Sequence, residues 1–210
     1  VDEIGTTVVD VPQSSHRVWV DDFDGDQTPD LIVLGNSGGF TGCCDFLRVF
    51  AQHDGEVEAL VDLWASGRNV SLDLKDLDGD GSLEVLAGIT LFEAGLPFCC
   101  APVVPTVIKW DGVSLVDASK TLGVGRLTDA LAEYRAVVLG ERAEPTEPAR
   151  RAALGLIGVA HALGHGHVRE QRTWLQRNAS PRVVAWVDEQ AHVVEDALGP
   201  YGLWSGVPAE

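Results

Sequence analysis

Asp22, Asp24, Asp26 and Asp30 fall at positions 1, 3, 5 and 9 of a nine-residue stretch, Asp22-Phe23-Asp24-Gly25-Asp26-Gln27-Thr28-Pro29-Asp30. Fifty-four residues later the pattern returns as Asp76-Leu77-Asp78-Gly79-Asp80-Gly81-Ser82-Leu83-Glu84, with acids at Asp76, Asp78, Asp80 and Glu84. Position 7, Thr28 or Ser82, can add its backbone carbonyl. Such a set of hard oxygen donors suits a cation that accepts six to eight oxygens in flexible geometry, which is Ca²⁺. Without a cation, four carboxylates in nine residues repel one another. Two Ca²⁺ sites are therefore expected, one per loop, and the donors are all used in holding the ion, so no catalytic residue is assigned.

These loops need strands to hold them. An EF-hand would require a bidentate Glu at loop position 12 followed by a helix, but position 12 is Val33 in one copy and Ala87 in the other. The residues after each loop, Leu31-Ile32-Val33-Leu34 and Val85-Leu86-Ala87, are short apolar runs ending at Gly35 and Gly88. They read as buried strands. Val18-Trp19-Val20 and Val70-Ser71-Leu72 supply the strand before each loop. On these residues the chain resembles the FG-GAP/VCBS repeat family, whose calcium loops run D-x-[DN]-G-D-G-x-x-[DE] into a strand. Residues 76–84 match that pattern throughout. The first copy departs at Gln27, where the family has Gly, and a positive φ there would strain Gln. The resemblance covers about residues 18–118 and implies calcium, β-blades and an extracytoplasmic location (secreted, periplasmic or cell-surface).

The rest of the first half repeats as well. Phe46–Phe50 and Val57–Leu63 alternate as strands, and so do Val107–Trp110 and Val113–Val116 around an Asp111-Gly112 turn. Thr6–Val11 reads as a lead-in strand. A period of about fifty residues is that of a propeller blade, although two blades do not close a propeller. From about Leu122 the apolar period becomes 3.6. Leu127, Leu131, Tyr134 and Val138 share a face, with Thr128 as a cap. Residues 149–163 are apolar nearly all round, and 168–177 reads as a short helix. A last helix runs from Ser180-Pro181 to Gly199-Pro200. The fold class expected is α+β: an antiparallel two-repeat β domain, 1–120, and a packed domain of three or four helices, 121–210.

Charge excludes some partners. Residues 1–120 carry 21 acids against 6 bases, and residues 121–210 carry 11 against 9. The overall net charge is −17. Nucleic acid and anionic lipid both demand basic patches, and no apolar run is long enough to span a membrane. The chain begins Val1-Asp2-Glu3 and contains no Met, as expected of a product trimmed of its targeting segment.

Other chemistry is weaker. Cys43-Cys44 and Cys99-Cys100 are adjacent pairs in an acidic, calcium-looped chain, which suggests disulfides in an oxidising compartment; all three connectivities stay open. Adjacent cysteines fit zinc spacing poorly. His161, His165 and His167 lie in His-Ala-Leu-Gly-His-Gly-His, without the Glu of an H-E-x-x-H motif, and a helix end explains them as well. Asn69-Val70-Ser71 and Asn178-Ala179-Ser180 match the glycosylation sequon. The six tryptophans serve either packing or an exposed platform. The function expected is a non-enzymatic, calcium-stabilised exported module that binds a protein or cell-envelope glycan. The alternatives are a metal-dependent hydrolase built on His161, His165 and His167, and an oligomerisation module whose helical tail forms a homodimer.

Overall fold

The computed structural model describes residues 16–36, 45–53, 56–65, 72–91, 96, 101–141 and 145–198. The lead-in segment 6–11, all four cysteines, Trp204 and the first sequon fall outside the described residues.

Strands β1 (His16–Asp21), β2 (Asp30–Asn36), β3 (Asp45–His53) and β4 (Glu56–Ala65) form one antiparallel sheet in chain order. Strands β5 (Asp73–Lys75), β6 (Glu84–Thr90), β7 (Val103–Trp110) and β8 (Leu115–Asp117) form a second sheet of the same plan. Each is a four-stranded meander, as a propeller blade is. β2 and β6 begin 54 residues apart and end 54 residues apart. Both are inner strands, so their Ile, Val and Leu side chains have a packing partner on more than one side.

The two sheets share a core. Phe23, Ile32, Leu34, Leu47, Val49, Val61 and Leu63 of the first half pack with Leu72, Val85, Ala87 and Ile108 of the second. Asp45 ties the halves at the edge of that core. Its carboxylate accepts from Asn36 Nδ2 at 2.7 Å and from the Leu72 backbone N–H at 3.2 Å.

Among the described residues five helices follow: α1 (Val124–Gly140), α2 (Glu147–Leu163), α3 (His165–Asn178), α4 (Pro181–Glu189) and α5 (Ala191–Leu198). That exceeds the three or four expected, because the last helix divides. The Gln190 N–H closes α4 by bonding back to the Trp186 and Val187 carbonyls, both at 3.1 Å. The apolar stripe Val183, Val187, Val194, Leu198 runs on across this break, so periodicity alone could not reveal it. Thr128 is not a cap. A run of turns from Ala118 to Gly123 starts α1 at Val124, and the Thr128 hydroxyl donates to the Val124 carbonyl at 2.8 Å inside the helix. Thr146 and Ser180 cap α2 and α4, each with Pro in the first turn, where a hydroxyl accepts from an otherwise unpaired N–H and proline has none to satisfy.

The helices pack on the second sheet. Their core includes Leu91 and Val104 alongside α2. Gly158 permits that approach, since a Cβ there would lie 2.8 Å from Val104 Cγ2 and 3.0 Å from Leu91 Cδ1. Tyr134 of α1 clamps β7 by donating to the Val103 carbonyl (2.8 Å) and accepting from its N–H (3.0 Å). Trp19 and Trp110 pack against the inter-sheet core, and Trp174 and Trp186 against the helical core. Those four are packing residues. Arg135 and Arg150 lie over the rings of Trp174 and Trp186, at 5.3 and 5.9 Å.

Candidate metal centres

Each acidic loop joins two strands, β1 to β2 and β5 to β6, and each is held by the same hydrogen bonds. The position-1 acid accepts from the backbone N–H groups of positions 4 and 6. For Asp22 these are Gly25 (2.8 Å) and Gln27 (2.9 Å); for Asp76 they are Gly79 (2.6 Å) and Gly81 (3.2 Å). Asp24 and Asp78 accept from the N–H of Asp26 and Asp80. Asp26 and Asp80 in turn accept from Thr28 and Ser82. The position-9 acid folds back under the loop: Asp30 accepts from Phe23 N at 3.0 Å and Glu84 from Leu77 N at 2.7 Å. Carboxylates thus satisfy backbone donors that the tight turn leaves without partners.

The turn needs positive φ at positions 4 and 6. Gly25, Gly79 and Gly81 supply it at 82°, 77° and 94°. Gln27 adopts 69° and is the non-glycine residue with positive φ among the described residues. The strain expected at this departure from the pattern is present.

Three acids in each loop aim at a common point. One oxygen each of Asp22, Asp24 and Asp30 lies within 4.8 Å of the others, and so does one each of Asp76, Asp78 and Glu84. Asp30 and Glu84 are 1% and 0% exposed. Burial, followed by the charges of Asp24, Asp26 and Asp22, raises the Asp30 pKa against the lowering effect of the Phe23 N–H. Asp26 and Asp80 are not among these groups of three, and one oxygen of each accepts from the loop backbone. Thr28 and Ser82 occupy position 7 as expected; Ser82 is buried and its hydroxyl bonds Asp80 at 2.6 Å.

The two loops also touch. Leu83 N donates to the Phe23 carbonyl at 3.0 Å, and Gly25 abuts Ser82, whose Cβ would be 3.4 Å from a Cβ on the glycine. The loops therefore form the joint between the sheets as well as a turn in each.

Residues 22–87 match the FG-GAP-like repeat. The match runs from the first donor of one loop, through the first sheet and the second loop, into β6. It confirms the resemblance drawn from the loops, and helices follow the repeat. No curated protein and no solved structure matches the chain.

Sequence reasoning missed one group at the repeat's second loop. Lys109 Nζ lies 2.7 Å from Asp78 Oδ2, 2.5 Å from Asp80 Oδ2 and 3.4 Å from Glu84 Oε1. Asp78 and then Asp80 hold its pKa above the usual lysine value, while Lys109 chiefly lowers that of Asp80. A hairpin register would have revealed it, because the β6–β7 ladder pairs Val85 with Ile108 and the next rung faces Glu84 with Lys109.

The histidines separate. His161 and His165 meet edge to face, their ring centroids 5.9 Å apart. They line a cleft of about 120 Å³ with Thr106, Asp117, Ser119 and Lys120 at the junction of β7, the 117–120 segment and α2. Burial, then the His165 charge, lowers the His161 pKa. His167 is half exposed and faces Glu170 at 3.9 Å. Among the described residues, groups of three or more converging metal-ligand side chains occur only at the two acidic loops. Asn178 of the second sequon donates to the Trp174 carbonyl at 2.9 Å.

Proposed function

We propose that this chain is a non-enzymatic, calcium-stabilised module that works outside the cytoplasm and binds a protein or cell-envelope glycan. The observation that carries the calcium reading is the convergence of three acids in both loops on one hydrogen-bond plan, with a buried acid at position 9 of each. Glu84 Oε1 is fully buried and has the Lys109 ammonium at 3.4 Å as its charged neighbour, so a buried, ionisable oxygen faces the converging acids. Asp22, Asp24, Asp26, Asp30 and the Thr28 carbonyl would hold one ion; Asp76, Asp78, Asp80, Glu84 and the Ser82 carbonyl would hold the other. An all-oxygen donor set favours a hard cation over zinc or copper. Several carboxylates per ion favour Ca²⁺ over Mg²⁺, which keeps its waters. The ion supplies charge neutralisation. The chain's own residues do the rest, and the Phe23–Leu83 bond holds the two loops side by side.

Thermal unfolding in Ca²⁺, Mg²⁺, Zn²⁺ and EDTA tests this. At calcium near 100 times Kd each site adds about 2.7 kcal/mol, and about 2–4 °C follow from each kcal/mol in a chain of this size. Stabilisation by calcium alone is the expected result; equal melting in calcium and EDTA overturns it. A hydrolytic centre has one supporting observation, the cleft that brings His161 and His165 near Asp117. It predicts stabilisation by zinc that His161→Ala removes. No helix among the described residues is long and apolar enough to cross a membrane.

A further inference from the structure

Among the described residues the two loops differ in how their charge is offset. Loop 76–84 has an internal cation and loop 22–30 has none. In the second sheet, extending the β6–β7 ladder by one rung sets Lys109 across from Glu84. In the first, the β2–β3 ladder pairs Leu31 with Phe50, and the next rung sets Ala51 across from Asp30. Ala51 is 2% exposed and carries no charge. Among the described residues no lysine or arginine pairs with a carboxylate of loop 22–30.

Lys109 contacts two of the three acids that converge in the second loop, Asp78 and Glu84, as well as Asp80. An ammonium has three donors and one charge. It can neutralise part of the loop and cannot offer the coordination that fixes all its oxygens. A divalent ion at the same carboxylates must either displace the ammonium or share its ligands with a like charge a few ångströms away. Both lower its affinity. We propose that Lys109 is a resident rival to calcium at loop 76–84, so the loops fill in order, 22–30 first and 76–84 at higher calcium. This rests on the calcium reading above. It reverses the ranking that the loop sequences alone suggest, since the loop with the complete pattern becomes the weaker site. It also makes loop 22–30 the one whose order depends most on the ion, because no lysine or arginine among the described residues offsets its charge.

Calcium titration calorimetry on the full chain decides it, with wild type, Lys109→Met (which keeps most of the apolar stem), Lys109→Arg and Asp24→Asn. The expected wild-type result is two sites at least tenfold apart. Lys109→Met tightens the weaker at least tenfold and leaves the stronger unchanged, while Lys109→Arg keeps the wild-type pattern. In Asp24→Asn only the weak site remains, and adding Lys109→Met again tightens it. If Lys109→Met unfolds, Lys109→Gln takes its place. Two equal sites, or a weak site that ignores loss of the ammonium, overturn the role of Lys109 and leave the calcium reading intact. Absence of calcium binding in every variant overturns both.

Discussion

Replacing Asp30 by Asn should change sign with calcium. Asp30 is 1% exposed and lies within 4.8 Å of oxygens of Asp22 and Asp24. Two unit charges that far apart repel by about 3 kcal/mol at an effective dielectric near 20. Half-exposed partners and salt reduce this, leaving about 1–3 kcal/mol for Asp30 as a whole. Asn keeps an oxygen for the Phe23 N–H, so the turn survives. In EDTA the variant should therefore be more stable than wild type by about 1–3 kcal/mol, or roughly 2–4 °C per kcal/mol. In saturating calcium it loses a charged ligand and most of the roughly 2.7 kcal/mol that a well-filled site contributes, and it becomes the less stable of the two. The EDTA difference has its own pH dependence. The folded pKa of Asp30 is raised, so wild type loses stability as pH rises through that folded value. Below the unfolded value of 3.8 both states are protonated and the two proteins should converge. Calorimetric melts of both proteins with and without calcium suffice. An equal change in EDTA and calcium would refute the reasoning, because the charge of Asp30 would then have no dependence on a bound cation.

Gln27→Gly should stabilise the protein by about 1 kcal/mol in urea unfolding, because it relieves the left-handed conformation at position 6, and Gly81→Gln should cost a similar amount. Gly158→Ala should destabilise by about 1–3 kcal/mol, because its methyl overpacks Val104 and Leu91. Gly125→Ala, with open space around the added methyl, should gain helix propensity instead. His161 has a lowered folded pKa owing to burial and then His165, with Glu195 and Lys120 as its other charged neighbours. Its contribution is present above the ordinary 6.5 and is lost as pH falls through the lowered folded value. His161→Gln should therefore flatten the stability-against-pH curve across that window, and an unchanged slope would count against the burial argument.

Most of the β part was legible because its signals are local. Fixed acid spacing marks the two turns whose acids converge, and an apolar run after each loop names the inner strand, so β2 and β6 fall where the repeat puts them. Gln27 was legible as strain for the same reason, since one position departs from a pattern that demands positive φ. What stayed hidden depends on contacts between distant segments. Lys109 lies 25 residues beyond Glu84 and is an ordinary strand lysine until register is known. The Phe23–Leu83 bond joins two loops that look independent in sequence. The break at Gln190 leaves the apolar stripe intact, and the early start of α1 comes from backbone turns at 118–123 that no capping side chain announces. The histidine motif suggested three groups acting together. The turn at Gly164, with φ at 121°, instead sends His165 toward His161 and leaves His167 beside Glu170.

Calcium content after equilibrium dialysis, measured by elemental analysis on wild type, Asp22→Ala, Asp76→Ala and the double variant, tests the central claim most directly. Two Ca²⁺ per wild-type chain at saturation, one in each single variant and none in the double variant is the predicted result. A wild-type protein that retains no calcium, or a double variant that retains as much as wild type, would contradict it.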